Sequence, residues 1–209
     1  MWLVDDIAWM KRWSSVKALV FDWDGVFNSG EKTPHQPSGF FEADSMGVNM
    51  LRFSLWLRDG ICPPVAIITG ADNPGARHWA EREHIDACYG KVLNKKETLI
   101  SFCETHNLTA ENVCFFYDDI LDLNAAAIAG GRMMVNRPGA PHLANMVKAR
   151  HWADYISEQS GGHYGLRECC DNILARNMML EIVVHKRMET LGDYLHYLTD
   201  RNKTTPKFI

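Results

Sequence analysis

Three short apolar runs stand out from an otherwise mixed chain, and each stops at polar chemistry. Residues 16–21, 65–68 and 113–117 are rich in β-branched and aromatic side chains and are shorter than a stable helix. Runs of this kind read as strands buried on both faces, as parallel sheets require. Weaker runs at 87–89, 132–135 and 153–156 read as further strands, the last at an edge. Between them apolar positions recur at helical spacing over 2–13, 46–58, 75–84, 95–107 and 123–129, and in a long final stretch, 166–198. Pro74 sits where a helix start tolerates proline, and Gly130-Gly131 ends the alanine-rich helix. Strands alternating with helices predict an α/β fold, a Rossmann-like parallel sheet flanked by helices. The segment 28–39, with Gly30, Pro34, Pro37 and Gly39, predicts a β-hairpin flap over the end of the first strand.

The 209 residues fit one domain over 1–209, with a core at about 14–175 and a helical extension at about 176–209. In the extension Val184, Met188, Leu191, Leu195 and Leu198 are spaced four, three, four and three apart, an amphipathic stripe. It can pack on its own domain or form a contact between subunits. A net charge of −4 gives no basic field for nucleic acid. No stretch approaches the roughly 18 apolar residues that span a bilayer, and the charged N-terminus does not read as a signal peptide. The six cysteines form no C-x-x-C pair and fall mostly in apolar runs, which fits free thiols in a reducing, cytoplasmic setting.

The chemistry gathers at the strand ends. Asp22 and Asp24 follow the first strand two residues apart, so in extended backbone they face one side. Two carboxylates held close need a proton or a cation between them, and magnesium suits oxygen ligands; a solvated acidic turn is the other reading. Thr69-Gly70 ends the second apolar run, and Asp118-Asp119, with Asp122 one turn on, ends the third. Parallel strands deliver these groups to one edge, where ligands of open α/β sheets bind.

In this order, Asp22-x-Asp24-Gly25, Thr69-Gly70, Lys95 and Asp118-Asp119-x-x-Asp122 resemble the four motifs of haloacid dehalogenase-type phosphohydrolases. The short intervals between them leave little room for an inserted cap, so the resemblance is to the capless branch. Gly47 after Asp44, and Gly161-Gly162-x-x-x-Leu166-Arg167-Glu168, are similar to the 3-deoxy-D-manno-octulosonate-8-phosphate phosphatase group and its nonulosonate-9-phosphate relatives. The resemblance spans about 16–174. It implies a magnesium-dependent phosphatase of a phosphorylated sugar acid, as in surface-polysaccharide synthesis, working as a homotetramer. Asp22 would be the nucleophile and Asp24 the acid and base. Thr69 and Lys95 would bind the phosphoryl group. Asp22, the main-chain carbonyl of Asp24, Asp118 and, through water, Asp119 would hold the metal, with Asp122 orienting Lys95. Gly70, Asn49, Arg52 and His163 are the candidate substrate contacts.

The match departs at specificity positions. The group has Arg-Asp-Gly-x-Gly-Ile-Arg after its hairpin, where this chain has Ala43-Asp44-Ser45-Met46-Gly47-Val48-Asn49. Ala71 replaces the group's arginine after Thr-Gly, and Tyr117 replaces the glycine before the paired aspartates. Arginine is the usual fork for a carboxylate, and Arg52, one turn past Asn49, is the nearest substitute. A catalytically silent relative acting as an oligomeric scaffold or regulatory subunit is the rival reading.

Overall fold

Strand β1 (Ala18–Phe21) is the middle of the sheet, and every residue in it is buried. Its side chains alternate between two cores, as the strand period requires. Leu19 and Phe21 face one side, Ala18 and Val20 the other. The computed structural model describes residues 1–33 and 38–209. Among these, β1 is joined by β2 (Val65–Ile68), β3 (Ala87–Tyr89), β4 (Val113–Tyr117), β5 (Gly131–Asn136), β6 (Tyr155–Ser160) and β7 (Lys207–Phe208). All neighbours pair in parallel, in the order β6-β5-β4-β1-β2-β3-β7.

Helices cover both faces. The Leu19 and Phe21 side packs on Trp9 and Trp13 of α1 (Asp6–Trp13), Leu51 and Phe53 of α2 (Glu42–Asp59), Trp79 of α3 (Pro74–Glu83) and Leu166 and Ile173 of α7 (Gly165–Arg176). The Ala18 and Val20 side packs on Leu99 and Phe102 of α4 (Lys95–Thr105), Ala125 of α5 (Leu123–Ala126) and Val147 of α6 (Pro141–Ala149). This is the Rossmann-like α/β sheet that the apolar runs predict.

Three details differ from the sequence pattern. Helix α2 begins at Glu42, four residues before its apolar periodicity does. Two polar residues of its first turn are buried: Asp44 Oδ1 accepts the Arg167 amide of α7 at 2.8 Å, and Ser45 Oγ accepts Trp79 Nε1 at 2.9 Å. Helix α6 lies at 141–149, where the sequence pattern predicts no helix; it buries Ala144 and Val147, and Leu143 packs on the same core as Val147. The predicted hairpin flap falls partly on 34–37, outside the described residues; its flanks, 29–33 and 38–41, carry no strand.

The last segment is not one helix. After α7 come α8 (Leu180–Glu189) and α9 (Asp193–Arg201), separated where Thr190 and Gly192 take φ of 52° and 57°. That break splits the predicted stripe. Val184 and Leu198 pack on the core, but Met188, Leu191 and Leu195 are exposed. Val183, Tyr194 and Tyr197 are buried instead, the two tyrosines against Phe53 at ring distances of 5.1 and 5.2 Å. The chain then adds β7 beside β3, with Lys207 N donating to Asp86 O at 3.0 Å and Ile209 N to Cys88 O at 3.1 Å. The Tyr197 hydroxyl is buried without a hydrogen-bond partner among the described residues. An orphaned buried hydroxyl costs about 1–3 kcal/mol. Tyr197→Phe is therefore expected to raise stability by about 1 kcal/mol in urea unfolding; a loss would show that the hydroxyl is satisfied in solution.

Candidate active site

The carboxyl edge of the sheet gathers the strand-end groups. Asp22 still pairs as strand backbone, its N–H donating to Phe116 O at 2.9 Å, so its side chain is fixed at the end of β1. Asp118 follows β4 directly, and a short 3-10 turn, Ile120–Asp122, returns Asp122 toward it. Carboxylate oxygens of Asp22, Asp118 and Asp122 lie within 4.8 Å of one another, and all three residues are buried. Lys95, the first residue of α4, points its buried amine between two of them. Its Nζ is 2.7 Å from Asp22 Oδ1 and 2.5 Å from Asp122 Oδ1.

The electrostatics follow from that crowding. Burial and the Asp122 carboxylate push the Asp22 carboxyl up to about 7, although Lys95 pulls it back. Burial, with Asp22 and Asp122 alongside, pushes Asp118 up to about 8 against the pull of Arg137. Burial also disfavours the charged lysine, but Asp22 and Asp122 outweigh it and hold Lys95 above its ordinary value. Three carboxylates against the Lys95 ammonium and the Arg137 guanidinium still leave a deficit of positive charge, which a cation relieves. All the donors are hard oxygens, the set that suits a hard divalent ion. The residues present therefore fit a divalent metal. Gly25 shows how tightly the loop closes on this point: at φ +87°, a Cβ there would lie 2.0 Å from Asp118 Oδ2.

The other predicted residues divide. Thr69, at the end of β2, is buried, with its N–H on Tyr89 O at 2.9 Å. Gly70 follows it and is exposed. Asp24 stands outside the cluster of three, and its carboxylate accepts from Lys32, Ser38 and Asn73. Asp119 also stands outside the cluster of three; it accepts Ile120 N at 2.7 Å and shares Arg137 Nη1 with Asp118, at 2.5 Å from its own Oδ2. Asn49 and Arg52 are corrections, because both are spent on packing. Asn49 Oδ1 accepts the Tyr194 hydroxyl at 2.9 Å, and Arg52 donates to the carbonyls of Glu83 and His84 at the end of α3. Arg52 is buried and forms no ion pair among the described residues, so it is neither a carboxylate fork nor a surface salt bridge. His163 lines a cavity of about 260 Å³ with Gly25, Ser29, Ser160 and Arg137.

Two residues at the site escape the motif reading. Arg137 reaches back from the end of β5 to put Nη1 2.8 Å from Asp118 Oδ2. Its signal is topological: it follows a strand that ends at the same edge as β4. Asn73 reads as an ordinary turn residue before Pro74, yet its side chain bridges Asp24 and Thr69.

The fold, with its acids at the strand ends, resembles that of the haloacid dehalogenase-type phosphohydrolases, a class of phosphoric monoester hydrolases. Within that class the chain is similar to the 3-deoxy-D-manno-octulosonate 8-phosphate phosphatases. It is 24% identical to that enzyme from Haemophilus influenzae over 168 residues, covering 78% of this chain and 86% of the relative. The crystal structure of the phosphatase so named from Yersinia pestis superposes with a TM-score of 0.67 at 26% identity, covering 85% of this chain and 89% of that one. The Moraxella catarrhalis phosphatase, solved with magnesium, phosphate and the octulosonate sugar, shares the fold with a TM-score of 0.71 at 21% identity, over 88% of this chain and 99% of that one. No family model matches the chain. No helix among the described residues is long and apolar enough to cross a membrane, and all six cysteines are free.

Proposed function

We propose that this protein is a magnesium-dependent phosphatase that hydrolyses the phosphate ester of a sugar acid through an aspartyl-phosphate. The observation that carries the reading is the buried cluster of Asp22, Asp118 and Asp122 closed by Lys95. An Asp22 oxygen attacks phosphorus in line with the ester bond. That bond breaks as Asp24 gives its proton to the leaving sugar oxygen. Asp24 then takes a proton from water as the water attacks the aspartyl-phosphate. The bond from phosphorus to Asp22 breaks, releasing inorganic phosphate and restoring the carboxylate. Thr69 donates to a phosphoryl oxygen, and Lys95, held by Asp122, offsets charge on the phosphoryl group. Asp22, Asp118 and the main-chain carbonyl of Asp24 would hold magnesium, with Asp119 through water; when bound, it supplies further charge neutralisation.

The acid part of the substrate rests on the named relatives and on Arg137 and His163 in the neighbouring cavity. Arginine is suited to a carboxylate, and this one stands in for the arginines absent at Ala43, Asn49 and Ala71. The reading also places the protein in the cytoplasm as a homotetramer; light scattering at four times the chain mass is expected, and a monomer mass would overturn that part.

Phosphate release from a panel of sugar phosphates tests the whole. Turnover is expected with magnesium, to be lost in chelator and restored on adding the metal back, with a sugar-acid phosphate as the best substrate. Failure on every ester, including p-nitrophenyl phosphate, would favour the silent relative.

A further inference from the structure

Asn73 occupies the N-cap of α3 but does not cap it. Asparagine is among the best N-cap residues because its side-chain oxygen accepts a helix N–H. Here that local gain is forgone, and Asn73 is buried. Its Nδ2 lies 2.9 Å from Asp24 Oδ2 and 2.9 Å from Thr69 Oγ1. Its Oδ1 is 3.2 Å from Ser38 Oγ, which is itself 2.9 Å from Asp24 Oδ1. Chemistry sets the amide orientation: a flipped oxygen would face a carboxylate oxygen, and only the NH2 group offers two donors. Pro74 contributes by steering the preceding residue into extended backbone, observed at φ −109° and ψ 102°.

The effect on Thr69 is specific. Its hydroxyl oxygen is approached by Asn73 Nδ2 and, at 3.4 Å, by the Ala71 amide. Both lone pairs therefore face donors, and the hydroxyl proton has no acceptor among the described residues. A hydroxyl so placed can only donate.

We propose that Asn73 is a positioning residue that locks the Asp24 carboxylate and the Thr69 hydroxyl into one register, so that the proton donor and the phosphate-binding donor meet the same phosphoryl group. Asp24 is carried by the loop after β1 and Thr69 by the end of β2. Apart from Asn73, no described side chain bridges the two. The proposal rests on the phosphatase reading for the roles of Asp24 and Thr69, and on geometry for the link between them.

The test compares kcat/KM for p-nitrophenyl phosphate and for the best alkyl phosphate of the panel. This constant reports steps through departure of the leaving group. An alkoxide leaving group needs the proton donor and nitrophenolate does not. In Asn73→Ala, and in the isosteric Asn73→Asp, the alkyl-to-aryl ratio is expected to fall by about tenfold. No cap is lost, so any fall in melting temperature reports the lost buried hydrogen bonds alone and leaves the ratio as the readout of positioning. A ratio within about twofold of the wild type overturns the proposal whatever happens to the absolute rates. Asp24→Asn serves as the reference and should show a larger split; its absence there counts against the role given to Asp24. Calorimetric binding of inorganic phosphate, with magnesium, reads the Thr69 part without turnover. About fivefold weaker binding in Asn73→Ala is expected, and unchanged binding overturns that part even if no ester is hydrolysed.

Discussion

Asp22→Asn is expected to lower turnover by about 10⁴-fold or more while making the metal-free protein more stable. The two effects share one cause. Asparagine keeps the shape of the side chain and an oxygen for Lys95 to donate to, but it cannot form the acyl phosphate. The native carboxylate is costly: burial and Asp122 push it up to about 7. A carboxyl raised above its unfolded value favours folding in its protonated form. Its ionised form subtracts stability as pH climbs through the folded value. At pH 8 in chelator, Asp22→Asn is therefore expected to gain about 1–3 kcal/mol, and the gain should vanish near pH 4. Initial rates and chemical unfolding at the two pH values read both halves. Residual turnover above about one part in 10³ would remove Asp22 from the nucleophile's place.

The same balance explains what the sequence does and does not reveal. The strands were legible because β1, β2 and β4 are buried on both faces, and continuous apolar runs have few other uses. Their parallel pairing then places Asp22, Thr69 and Asp118 on one edge without knowledge of any side-chain contact. Helix starts were harder. The first turn of α2 hides behind Asp44 and Ser45, polar residues that turn inward to meet Arg167 and Trp79. The tail misled because four-three spacing continues across Thr190-Leu191-Gly192, where the backbone leaves the helix. Strand β7, only two residues long, owes its place to an open edge beside β3 and not to its own propensity.

At the site, the acids that end strands and the Lys95 that answers them were found, and Arg137 and Asn73 were not. Arg137 and Asn73 come from separate loops and carry no motif; only the strand order brings Arg137 beside Asp118. Asn49 and Arg52 were drawn toward the substrate by linear proximity to an expected motif. Helix α2 instead directs them to Tyr194 and to the end of α3.

Lys95→Met carries the largest stability effect expected at the site, and its pH dependence has a definite sign. The lysine is the buried cation between Asp22 and Asp122, with 6% of its side chain exposed. Methionine fills a similar volume with no charge. Removing one partner of a buried ion pair typically costs about 3–5 kcal/mol, because the remaining charge is left uncompensated. Asp22 loses the group that now pulls its pKa down, so its folded value rises further above the unfolded one. Groups raised in this way destabilise the fold as pH increases through the folded value and cost little once protonated. Lys95→Met in chelator is thus expected to be close to the wild type near pH 4 and about 3 kcal/mol less stable at pH 8. Magnesium should narrow the gap at pH 8, since it supplies positive charge to the same carboxylates. Turnover should fall by about 10²- to 10³-fold even with the metal present, because the phosphoryl group loses a fixed cation. Urea unfolding across pH 4–8, with and without magnesium, separates these terms. A destabilisation independent of pH would show that Lys95 contributes packing and not charge.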